Sequence, residues 1–275
     1  MNYYCLIAGL PDVHPEDMKV AQSIAVIKQD LLDELTHKDA ALLRLLFSSY
    51  DNENLLAYLR NKDAELNELG NLDKDDWEQL IALMRDDEKP SDPRLLPYIH
   101  KYYMHTLEED DNEKVISKED FLASLYFEYA MKSENQFLRN WFEFNLNLNN
   151  LLAAIACRKF GYDIKSMVLG DNEIARTLRN SNARDFSLTG VFHQLELVLR
   201  IAEEENLLER ERKLDALRWD WLEENTFFNY FSIEKVLAYV LRVEMIERWK
   251  MLTFEKGSEI FRNLLRSLKD EVKLK

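Results

Sequence analysis

The five prolines of this 275-residue chain, Pro11, Pro15, Pro90, Pro93 and Pro97, all fall within its first hundred residues, and none occurs from Tyr98 to Lys275. Proline lacks the backbone donor that a helix interior needs, and its ring clashes with the preceding turn. Glycine is scarce as well, at six residues, so the two breakers together reach roughly a third of their average usage. A long proline-free stretch rich in Leu, Glu, Lys and Ala favours helices. Alternating strand patterns are absent, as are the Asn-Gly and Asp-Gly turns of short hairpins. The expected fold class is all-α.

The pattern along the chain predicts individual helices. Asn2 to Pro11 is apolar and ends in breakers. Pro15, Glu16 and Asp17 suit a helix start, with a helix expected to about His37. Further helices are expected near 39–49, 51–69 and 73–86. Residues 85–93 read as a linker-like loop and 108–113 as a second, acidic loop. Ser117 with Asp120 resembles a capping box. After Ser187, one helical face is marked by Leu188, Val191, Phe192, Leu195, Leu199 and Ala202. Ser232 is a candidate cap for a helix whose Ile233, Val236, Leu237, Val240 and Leu241 follow the i, i+3, i+4, i+7 rule.

One internal echo organises the chain. Asn54-Leu-Leu-Ala-Tyr-Leu-Arg-Asn-Lys62 is similar to Asn150-Leu-Leu-Ala-Ala-Ile-Ala-Cys-Arg-Lys159, 96 residues later. A step of 97 from Asn150 reaches Glu247, which opens Glu-Arg-Trp-Lys-Met-Leu-Thr-Phe-Glu-Lys256, and glycines follow at Gly161 and Gly257. The expectation is a single all-helical domain, 1–275, made of three pseudo-repeated units near 1–93, 94–185 and 186–275 that stack on one another.

Chemistry is sparse. The formal net charge of −15 disfavours nucleic acid and adsorption on anionic lipid, and favours a basic protein partner. Cys5 and Cys157 sit in apolar sequence and read as two buried free thiols. No secretory leader is recognised. The longest apolar run, Leu151 to Cys157, falls far short of the roughly 18 residues of a membrane span. These features predict a cytoplasmic protein.

His14, His37, His100, His105 and His193 form no HExxH motif and read as ordinary surface or loop histidines. Glu34-Leu-Thr-His37 is the one Glu-x-x-His, whereas a di-iron bundle needs two such pairs and further glutamates. Phosphate loops and a G-x-S-x-G elbow are missing. No catalytic residue, metal or cofactor is expected. Of the aromatics, Trp141, Phe142 and Phe144 crowd together, as do Trp219, Trp221, Phe227, Phe228, Tyr230 and Phe231. Most read as core, with a few left to line a groove for a partner helix.

Two segments carry a family resemblance. Trp141-Phe-Glu-Phe-Asn-Leu-Asn-Leu-Asn-Asn-Leu-Leu-Ala-Ala-Ile-Ala-Cys-Arg-Lys-Phe-Gly161 resembles a stretch of the V/A-type ATPase central-stalk subunit known as C in prokaryotes and d in eukaryotes. There an acidic-hydrophobic lead is followed by Asn, apolar residues, then Arg, Lys and Gly. Phe231-Ser-Ile-Glu-Lys-Val-Leu-Ala-Tyr-Val-Leu-Arg-Val-Glu-Met-Ile-Glu-Arg-Trp-Lys250 is similar to that family's C-terminal helix, and Tyr3-Tyr4 is weakly similar to its start. The likeness is to a divergent bacterial branch. Gly9-Leu10-Pro11 replaces the family's early basic segment, and Glu247 stands where the third unit would carry Asn.

The resemblance implies a funnel of three similar helical units around a pseudo-threefold axis. Such a rotor subunit of an ATPase or ATP synthase sits on the cytoplasmic face of the proteolipid rotor ring and receives the foot of the central shaft. It transmits torque for proton or sodium transport without doing chemistry, and it meets the membrane only through the ring. Asn54, Arg60, Asn150, Arg158 and Lys159 are the repeat residues to watch. They act either as partner contacts in the cavity or as caps and hydrogen-bond formers inside each unit. The alternatives are a free-standing helical scaffold or regulatory protein-binding module and, from a third class, a helical metalloenzyme.

Overall fold

A computed structural model describes residues 2–17, 19–86, 90–108 and 117–251. Among them are twelve α-helices and no strand: α1 (Tyr4–Gly9), α2 (Ile24–Glu34), α3 (His37–Arg60), α4 (Lys74–Asp86), α5 (Pro97–Glu108), α6 (Lys118–Ala130), α7 (Gln136–Phe160), α8 (Ile164–Met167), α9 (Glu173–Asn180), α10 (Leu195–Ala202), α11 (Leu207–Thr226) and α12 (Ile233–Met251). None of them is long and apolar enough to cross a membrane.

Local chemistry sets most boundaries. A first-turn backbone N–H needs an acceptor outside the helix. Thr36 supplies it for α3, accepting from the Asp39 N–H at 3.2 Å. Ser117 does so for α6, from the Asp120 N–H at 3.0 Å, and Asn135 for α7, from the Leu138 N–H at 3.0 Å. Helix α7 ends on Gly161, whose φ of 76° is the left-handed cap that an amino acid with a Cβ adopts at a cost. Ser232 directly precedes α12, but its hydroxyl donates to the Glu234 carboxylate at 2.5 Å.

Several expectations need correction. The helices expected at 39–49 and 51–69 are one unbroken helix, α3, that stops at Arg60. The Asp51 and Asn54 side chains bond to a later loop and leave the helical backbone intact. Residues 188–194 are turns, not helix. Phe186 and Ser187 (φ 54° and 58°) and Gly190 (φ 81°) all adopt left-handed backbone, which interrupts a right-handed helix. Cys157 is buried, but Cys5 is exposed, because α1 buries none of its six residues. The acidic run 109–113 lies outside the described residues, as do residues 87–89 of the expected linker and Lys256 and Gly257 of the third echo.

The chain divides into two compact units, Met1–Leu35 with Asp215–Lys275, and Thr36–Leu214. In the first unit α2 packs on α12. Leu31, Val236, Leu237 and Val240, each at most 1% exposed, form its core. In the second unit α6 touches α3, α5 and α7, while α8, α9 and α10 touch α7. Phe47, Leu55, Trp77, Leu122, Leu138 and Leu151 fill its interior.

Candidate functional site

Helices α3 and α7 are the two longest among the described residues, and each carries one echo of the sequence repeat. The Asn54 side chain is buried and grips one residue of the following loop with both ends. Its Oδ1 accepts from the Asn67 N–H at 2.7 Å, and its Nδ2 donates to the Asn67 carbonyl at 3.0 Å. Asn150 repeats the device on α7. Its Oδ1 accepts from the Leu169 N–H at 2.8 Å, and its Nδ2 donates to the Leu169 carbonyl at 2.8 Å. An amide side chain is the group that can satisfy an N–H and a C=O together. Each grip therefore holds a loop against its helix without leaving a buried backbone group unpaired.

A second polar residue one helical turn earlier completes each clamp. Asp51 accepts from the Asn71 and Leu72 N–H groups at 2.6 and 3.1 Å and from Asn71 Nδ2 at 2.6 Å. Asn147 Oδ1 accepts from Asn172 Nδ2 at 2.8 Å, while Asn172 caps α9 by accepting from the Ala175 N–H at 2.9 Å. A Leu-Gly pair lies in each loop, at Leu69-Gly70 and Leu169-Gly170. A Cβ at Gly70 would lie 2.5 Å from Asn54 Nδ2, and Gly170 has a φ of 73°. The Leu-Gly pairs are 100 residues apart and the asparagines 96. The difference equals the four residues of α8, which is inserted in the second loop. This second echo was legible in the sequence, but a search at one fixed offset passes over it.

The other repeat residues have unequal roles. Arg158 donates to the carbonyls of Ala183 at 2.6 Å and Ser181 at 2.9 Å. Its guanidinium lies 3.4 Å over the Phe186 ring, and partial burial lowers its pKa from the ordinary arginine value. It thus braces the turn in which Phe186 and Ser187 hold left-handed backbone. Arg60 forms an exposed pair with Glu119 at 3.3 Å. Lys159 is exposed and lies 5.8 Å over the Phe160 ring.

Beside the first clamp lies a cleft of about 650 Å3. Leu45, Ile99 and Tyr129 supply apolar wall, and Asp51, Asn71 and Arg94 supply polar wall. Asn71 Oδ1 is buried without a donor. Arg94 donates to Asp92 at 2.8 Å, to Gln79 at 3.2 Å and to Asp76. That contact holds the Asp92 carboxyl below the usual carboxylate range. The volume matches that of small-ligand pockets. Sequence reading missed the cleft because its walls come from segments that only folding brings together. No group of three His, Cys, Asp or Glu able to hold a metal lies among the described residues.

The aromatics expected to pack together divide. Trp219 and Trp221 are buried, whereas Phe227, Phe228, Tyr230 and Phe231 are exposed. Helix α11 ends at Thr226, so the four rings sit on the connection to α12 rather than on its packed face. His100 and His105 belong to α5 rather than to a loop, and the His105 ring lies 4.2 Å from that of Phe121.

Fold and site together define an all-helical protein that uses the same asparagine-clamped helix–loop–helix unit twice. The chain belongs to the DUF2764 family, a family described as proteins of unknown function, and the match covers residues 1–272. No curated protein matches the sequence.

Proposed function

We propose that this chain is a non-catalytic rotor subunit of a V/A-type ATPase or ATP synthase, coupling the central shaft to the membrane proteolipid ring. The observation that carries the reading is the duplicated clamp, Asn54 on Asn67 and Asn150 on Leu169. It gives the sequence echo a physical meaning, and its second copy lies within the segment that resembles the central-stalk subunit. A coupling subunit must pass on force without deforming. A loop bonded at both its N–H and its C=O to the middle of a long helix moves with that helix.

In this reading a third unit includes Glu247 and the three units surround the foot of the shaft as a funnel. Lys159 and Arg60, the latter through its exposed pair with Glu119, are the repeat residues that meet partners. Asn54, Asn150 and Arg158 hold the scaffold. The charge of −15 attracts the chain to basic cytoplasmic loops of the ring, since such loops carry excess Lys and Arg, and places it at the inner face of the membrane. The test is a pull-down with the tagged chain from native membranes that contain the intact ATPase. Ring and shaft subunits are expected to co-purify, and raised salt is expected to weaken the association. Recovery of the intact ATPase from the same membranes without the tagged chain refutes the proposal.

The cleft beside Asp51 favours a second reading, a free-standing helical binding module. That reading predicts a small or peptide ligand retained by the purified chain and no ATPase subunits in the pull-down.

A further inference from the structure

Five aromatic side chains form an exposed surface in the unit made of Met1–Leu35 and Asp215–Lys275. Phe228 is 82% exposed, Phe227 64%, Tyr230 61%, Tyr4 55% and Phe231 41%. They come from two parts of the chain that are joined. The Tyr3 N–H donates to the Phe231 carbonyl at 2.6 Å, and the buried Tyr3 anchors α1 there. The Tyr4 ring then lies 4.5 Å from that of Phe231. Phe231 is 6.5 Å from Tyr230, and Phe227 meets Phe228 edge-on at 4.9 Å. Single exposed apolar residues are ordinary, whereas five large exposed rings gathered on one short connection and on the helix bonded to it mark a contact site. Aromatic anchors also lose little conformational freedom when they are covered.

The charges around the patch specify what covers it. Glu223 and Glu224 are exposed in the last turn of α11, and Glu234 opens α12. Asp12, also exposed, is close enough to act on Lys235. Lys235 is half-buried, and burial lowers its pKa from the usual lysine value. Among the described residues these four acids stand against two cations that burial desolvates, Lys235 and Arg242, so the balance is acidic. Such a rim repels anionic lipid and repels a second copy of itself. It attracts a polypeptide whose apolar stripe is flanked by Lys or Arg.

We infer that the Tyr4–Phe227–Phe228–Tyr230–Phe231 surface is a docking site for an amphipathic, basic segment of another protein. The apolar face of that segment covers the rings, and its flanking cations meet Glu223, Glu224, Glu234 and Asp12. This inference is independent of the rotor reading, which assigns no role to these residues.

The experiment uses the full chain and two synthetic amphipathic helices. Both carry leucine on one face; the other face is lysine in the first and glutamate in the second. The chain is expected to bind the Leu/Lys helix more weakly as salt rises, and the Leu/Glu helix far more weakly. Phe228→Ser and Phe227→Ser are expected to reduce binding of the Leu/Lys helix on the order of 30-fold each, as for central aromatic anchors. Their melting temperatures should match the parent's, because the rings are exposed. Glu223→Lys with Glu224→Lys should reduce binding and flatten its salt dependence while leaving the rings in place. Unchanged binding in the Phe variants overturns the inference, as does equal binding of the Leu/Glu helix. Flotation of the chain with neutral phosphatidylcholine vesicles would assign the patch to lipid instead. A dimer that Phe228→Ser converts to monomer would assign it to self-association, and either result overturns the proposal.

Discussion

Replacing Asn150 with alanine isolates the contribution of one clamp. The Asn150 side chain is 2% exposed and makes two bonds of 2.8 Å, one to each polar group of the Leu169 backbone. Each hydrogen bond contributes about 0.5–1.5 kcal/mol net, and a desolvated group left without a partner costs about 1–3 kcal/mol. Water reaches part of this site, since the bonds are only partly buried, so the expected loss is about 2–3 kcal/mol. For a unit the size of Thr36–Leu214 that corresponds to a fall in melting temperature of roughly 4–12 °C.

Two compact units need not unfold in one transition, so the sharper assay is local. Amide exchange at Leu169 should accelerate roughly 30- to 150-fold, the same free energy read as an opening equilibrium. Asn54→Ala should do the same to the Asn67 amide and leave Leu169 unchanged. A loss below about 0.5 kcal/mol, or a protected Leu169 amide in Asn150→Ala, would refute the clamp argument and with it the physical meaning of the repeat.

Other consequences follow from single sites. Gly70→Ala places a Cβ 2.5 Å from Asn54 Nδ2 and should destabilise by about 1–3 kcal/mol; thermal melts showing no loss would mean the loop yields freely. Arg242 is 9% exposed, its Nε and Nη2 are buried without an acceptor, and burial lowers its pKa from the ordinary arginine value. Arg242→Met keeps an unbranched, flexible stem and removes that charge, so it should be neutral or stabilising by roughly 1–3 kcal/mol, and a clear loss in chemical denaturation would contradict this. Cys5 is exposed and Cys157 is buried, with burial raising the Cys157 pKa above the usual thiol value. At mildly alkaline pH a thiol reagent should therefore modify Cys5 rapidly and Cys157 only after denaturation; two fast thiols in the native protein would contradict the packing of α7.

Some of the site was open to reading before folding. Asn54 and Asn150 stood out because the same short string occurs twice, each time with a polar amide opening an apolar run. The string cannot name the amide's partner. The loop residues that answer the two asparagines lie 13 and 19 positions downstream, and the inserted α8 shifts the second set. Arg158 belongs to the same string as Asn150, yet it braces the turn at Ser181–Phe186. Sequence adjacency carried no information about that division of work.

By itself the sequence determined that the chain is helical, where α3, α4, α6 and α12 begin, and which face of α12 turns inward. Those outcomes depend on proline, caps and three-to-four-residue spacing, whose energies arise within one or two turns of the chain. Tertiary structure alone decided that α3 runs through Asp51 without a break, that two tryptophans of one aromatic cluster are buried while four neighbouring rings are exposed, and that a cleft opens beside Asp51. Each of these depends on which distant segment reaches a side chain and excludes water from it, and that is settled only when the loops close.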